Sequence, residues 1–115
     1  MDEKLKAALD TANYMVTYNN QREMIKQEIK ELLLYHENGH RFTINRELIN
    51  FLNTVINMGH DEMVILDDFE NPYMVDNTKK FLENIFDVYV ESSNSYYYKF
   101  TELKKNRSIE KIVGV

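Results

Sequence analysis

The sequence predicts an α+β fold dominated by helix: two long helices forming a helical hairpin, with a short helix and a small antiparallel β unit inserted between them. Three observations carry this. The chain of 115 residues has only three glycines and one proline, so little interrupts a helix. Apolar residues recur at three-and-four spacing over two long stretches, one at each end. Between those stretches lie β-branched and aromatic runs punctuated by turn residues.

The first long helix is expected over about residues 2–37. Leu5, Leu9, Ala12, Met15 and Val16, then Ile25, Ile29, Leu32 and Leu33, share one face of a 3.6-residue period. The polar segment around Asn19-Asn20 is read as a solvated midpoint of one continuous helix, since no Gly or Pro breaks it. Asn38-Gly39 is taken as the stop, with a left-handed glycine cap.

A short strand follows at residues 41–44, then a helix at 46–58 capped by Asn45 and ended by Gly59. Its apolar face carries Leu48, Ile49, Leu52, Val55 and Ile56. A β-hairpin is expected over 63–75, from Met63-Val64-Ile65-Leu66, a turn at Asp67-Asp68-Phe69-Glu70-Asn71-Pro72, and Tyr73-Met74-Val75. Asp76 or Asn77 then caps a second long helix over 78–106, with a small polar patch at Ser92-Ser93. The tail, 108–115, reads as a short docked helix. One domain is the expectation for a chain of this length.

Composition excludes several classes of function. There is no cysteine, hence no disulfide framework and no thiol catalysis. No apolar run approaches the roughly 20 residues that span a bilayer, and the acidic, amphipathic start is unlike a secretory signal, so a cytoplasmic protein is expected. A net charge of −5 argues against a general nucleic-acid binder.

His36-Glu37-Asn38-Gly39-His40 is a literal H-E-x-x-H, the pattern in which two histidines one helical turn apart bind zinc and the glutamate activates water. His60 or Glu62 offers a third ligand. The Asn38-Gly39 stop signal sits inside the motif, so a helix end with a chance match is preferred and no metal or cofactor is assigned. The carboxylates of Asp61, Glu62, Asp67, Asp68 and Glu70 lack the spacing of a calcium loop and read as solvated turn residues. No Gly-rich phosphate loop and no nucleophile elbow is present, so no catalytic residue is assigned.

Tyr96-Tyr97-Tyr98 with Lys99, Lys104, Lys105 and Arg107 interleaves aromatic and basic groups. Adjacent helical residues point about 100° apart, so the tyrosines make no single stacking platform. Protein contact is therefore favoured over a nucleic-acid-linked regulatory role. The candidate interface residues are Ile29, Leu33, Tyr89, Tyr96, Tyr97 and Phe100. Self-association is expected, with the polar mid-helix segments setting its register, and an unidentified protein partner fits the same surface.

From the hairpin onward the chain resembles a group of small proteins of T4-like phages of marine bacteria. The residues that carry the resemblance are Leu66-Asp67-Asp68-Phe69-Glu70-Asn71-Pro72, Phe81-Leu82-Glu83-Asn84-Ile85, Tyr89, Tyr97, and Leu103-Lys104-Lys105-Asn106-Arg107-Ser108. The resemblance implies an accessory or assembly setting in an infected bacterium, and brings no activity with it.

Overall fold

The computed structural model describes residues 2–113, with side-chain surroundings through residue 106. Helix α1 spans Glu3–Leu32, strands β1 and β2 span Leu34–Glu37 and His40–Thr43, and helix α2 spans Arg46–Asn57. Strands β3 (Met63–Leu66) and β4 (Pro72–Val75) follow, then helix α3 (Thr78–Val113). The α+β class is as the sequence predicts: long helices at both ends and small antiparallel sheets between them.

Three boundaries differ from the expectation. Helix α1 ends at Leu32 rather than near residue 37, because Leu34–Glu37 pairs with His40–Thr43 as a hairpin. Asn38 and Gly39 are its two-residue turn, with φ of 50° and 80°. Positive φ at both central positions is what a type I′ turn requires, and Asn-Gly is the pair that tolerates it best. The expected strand 41–44 is thus the second half of a hairpin. At the other end, Ser108–Val113 continue α3 instead of forming a separate tail helix, while residues 114–115 lie outside the described residues.

Helix α2 forms for the reasons read from its ends. Asn45 Oδ1 accepts from the Leu48 amide at 2.8 Å, satisfying one orphan donor of the first turn. At the far end Gly59, at φ 88°, lets its own amide reach Ile56 O at 2.9 Å and that of His60 reach Val55 O at 3.2 Å. This is the paired C-terminal bonding of a Schellman motif. Helix α3 is capped by Asn77, whose Oδ1 accepts from Lys80 N at 3.0 Å. Thr78, fully buried, gives both its amide and its hydroxyl to Asp61 O.

The chain divides into two compact units. The first comprises residues 1–28 and 95–115, and within it Lys99 Nζ meets Glu28 Oε2 at 2.6 Å. Helix α1 runs unbroken through Asn19-Asn20. The second unit, residues 29–94, holds both hairpins, α2 and the main core. That core is Phe42, Ile44, Leu52, Ile65, Val75, Phe81 and Ile85. Leu52 and Ile85 are fully buried, each worth roughly 1.5–3 kcal/mol over an exposed side chain. Phe42 and Phe81 meet edge to face at 5.3 Å, the orientation the ring quadrupoles favour.

Candidate functional site

The second unit concentrates its polar side chains where the two hairpins meet. Strand periodicity puts Tyr35 and Glu37 on one face of β1, opposite Phe42 and His40 of β2. Tyr35 and Phe42 join the core, while Glu37 and His40 carry the same face onward to a polar cluster. Glu37 accepts from two phenols, Tyr35 Oη at 2.9 Å and Tyr73 Oη at 2.5 Å. Asn38 Nδ2 donates to Tyr73 Oη at 2.9 Å. Both phenols are held above their usual range. For Tyr35 burial comes first and the bond to Glu37 second; for Tyr73 that bond leads and burial follows.

Asp67 is the centre of the loop between β3 and β4. Its Oδ1 accepts from the amides of Phe69 at 2.8 Å and Asn71 at 2.9 Å, and its Oδ2 lies 2.7 Å from His40 Nδ1. Burial pushes its carboxyl up, but the donors from Asn71, His40 and Phe69 outweigh that and hold it below the ordinary aspartate value. Asp68 clamps β2 from outside. It accepts from Thr43 N at 3.0 Å, Thr43 Oγ1 at 2.7 Å and Arg41 Nε at 3.1 Å. These bonds and the Arg41 charge likewise overcome burial and lower its pKa. Arg41 also lies over the Phe69 ring, 4.6 Å from its centroid. Asp67 is therefore a buried structural clamp, not the solvated turn residue the sequence suggested, while Asp68 is exposed and still ties its loop to β2. A backbone loop with positive φ at Glu70 is stabilised by a side chain that serves as an internal acceptor.

The H-E-x-x-H pentapeptide spans a hairpin turn, not a helical turn. His36 pairs in register with Arg41 and His40 with Glu37, so the two histidines stand on opposite faces of the ribbon. Among the described residues no three His, Asp or Glu side chains converge as a metal site. His60 and Glu62 are exposed in the bend before β3.

The six candidate interface residues separate into two sets. Ile29 is buried, and Leu33 and Tyr89 pack against the core of their own chain. Tyr96 is half-buried and stacks on Phe100 at 6.0 Å, whereas Tyr97 is 72% exposed. Lys99 is paired with Glu28, and Lys104 sits 5.2 Å from the Phe100 centroid. Ser92 is buried and Ser93 exposed, so the mid-helix serines do not share one environment.

Sequence reasoning missed an apolar surface beside the clamp. A shallow concavity of about 470 Å³ is lined by Phe42, Leu48, Phe51, Ile65 and Leu66, with the carboxylates of Glu47 and Asp68. Leu66 also belongs to the outer face of β3–β4, where Val64 pairs with Met74 and Leu66 with Pro72. Val64, Leu66 and Met74 are each more than half exposed. The signal was the unbroken apolar run Met63-Val64-Ile65-Leu66, which alternation would have made half polar.

Compared with protein-family models, curated proteins and solved structures, the chain matches none. Among the described residues, no helix is long and apolar enough to cross a membrane.

Proposed function

We propose that this protein is a non-enzymatic interaction or assembly protein that associates with itself through α1, in the cytoplasm, in the infected-cell setting implied by its phage resemblance. One observation carries the reading: α1 has two apolar faces and only one is covered. At about 100° per residue, Tyr14, Tyr18, Ile25 and Ile29 share a face, and all four are at least half-buried. Leu5, Leu9, Ala12 and Val16 fall roughly opposite; Leu5 is 52% exposed, Leu9 45% and Val16 59%.

Their four-three-four spacing is that of a coiled-coil seam. The flanking positions of that seam, Lys6, Ala8, Asn13 and Met15, include one charge, so two copies approach without a like-charge layer. The His40–Asp67 pair and the Glu37 cluster support the non-enzymatic reading, because their hydrogen bonds serve to join the hairpins. Sedimentation velocity across a concentration series tests the proposal. The wild type is expected to associate, and Leu9→Glu with Val16→Glu to weaken association by more than about tenfold, since each buried side chain is worth roughly 1.5–3 kcal/mol. A wild type monomeric at high micromolar concentration overturns it.

A further inference from the structure

The outer face of β3–β4 is composed as if something covered it. Strands buried on both faces read as continuous apolar runs, whereas strands with one wet face alternate. Strand β3 reads Met-Val-Ile-Leu, yet only Ile65 is buried and Val64 and Leu66 stand open. Across the ladder Met74 is 51% exposed, and through Leu66 the face runs into the concavity, where Phe51 is 49% exposed. Acidic groups outnumber cations around it: Arg41 is engaged with Asp68 and Phe69, and Arg46 precedes Glu47. From Glu47 to Asp76 the sequence has no lysine or arginine, while Glu47, Asp61, Glu62, Glu70 and Asp76 are all exposed. Glu47 lines the concavity itself.

We propose that this face and its concavity dock a partner polypeptide segment that presents apolar side chains flanked by lysine or arginine. The apolar side chains would fill the space against Leu66, Val64 and Phe51, and the cations would meet the acidic margin. Opposite potentials favour such a partner and disfavour an acidic one. The same argument disfavours a second copy through this face, because two such margins would repel. The site is thus distinct from the α1 seam and stands whether or not that seam forms.

The test uses the full chain and three labelled synthetic peptides of equal length, alternating Leu-Lys, Leu-Glu and Ser-Lys, with fluorescence anisotropy at near-physiological salt. The Leu-Lys peptide is expected to bind, and both others to bind at least about tenfold more weakly. Val64→Thr with Leu66→Thr, which keeps β propensity, should weaken Leu-Lys binding about tenfold or more, the loss expected of central interface residues. Phe86→Thr, which removes an exposed aromatic from α3 (48%), should leave it unchanged. Glu47→Gln with Glu62→Gln, safe for folding at exposed sites, should weaken it several-fold and flatten its salt dependence. Equal binding of Leu-Glu or Ser-Lys, or binding indifferent to the strand variants, overturns the proposal. So does loss of self-association in the strand variants, which would make a second copy the occupant.

Discussion

The hairpins β1–β2 and β3–β4 have strands of equal length, four residues each, and are closed in different ways. The first turns in two residues, and what it needs is backbone freedom: φ of 50° at Asn38 and 80° at Gly39. The second turns through residues 67–71, and what it needs is an acceptor. The Asp67 carboxylate takes two amides of its own loop and the His40 ring of the other hairpin. The first turn is mainly a local conformational choice, with one side-chain bond outward from Asn38 Nδ2 to Tyr73 Oη. The other is a tertiary contact, so its failure should spread further.

The largest expected effect is therefore at Asp67. Asp67→Ala leaves the Phe69 and Asn71 amides and His40 without their partner in a buried place, where an unmet donor is costly. Its thermal midpoint should fall furthest of all variants in either turn, and a fall no larger than that of the Gly39 variant below would break the comparison.

Acid should reach the same hairpin next. Asp67 and Asp68 are both held below their ordinary 3.8, so their stabilisation is complete above that value. It is lost as pH falls through the lower folded values. Urea midpoints should decline on acidification below about pH 4, and Asp68→Asn should reduce that dependence. Tyr35 and Tyr73 give the opposite arm. Their folded values lie above 10.0, so the stabilisation they provide is present below that pH and lost as it rises through them.

Gly39→Ala should have the smallest effect. A Cβ there meets nothing within 4 Å, so the cost is that of the positive φ alone, about 1–2 kcal/mol. Equilibrium unfolding in urea measures it, and a larger loss would show that the substitution also disturbs the neighbouring Asn38–Tyr73 bond.

The two turns also mark how far the sequence could be read. Helix α2 was legible at both ends, because Asn45 and Gly59 act through bonds within a few residues. Strand β1 was not. Leu32, Leu33 and Tyr35 extend the helical rhythm of α1, and Asn-Gly serves equally as a helix stop or a hairpin turn. What decides is pairing, Tyr35 against Phe42, and pairing is not a property of either segment alone. The partners of Asp67 and Asp68 were hidden for the same reason, since His40, Arg41 and Thr43 lie 25–27 residues away. The end of α3 was misplaced more simply. No Gly or Pro occurs from Thr78 to Val113, and the basic, polar stretch at Lys104–Ser108 does not end the helix.

The Glu37–Tyr73 bond joins residues 36 apart in the chain, and this separation implies an order of events in folding. Each hairpin closes its own short loop, which takes roughly microseconds, whereas Tyr73 finds Glu37 only after a much longer segment has been brought back on itself. Closure entropy grows with that length, so the phenol–carboxylate contact belongs to the late, native side of the barrier. Removing the hydroxyl with Tyr73→Phe should then quicken unfolding and leave the refolding rate nearly unchanged.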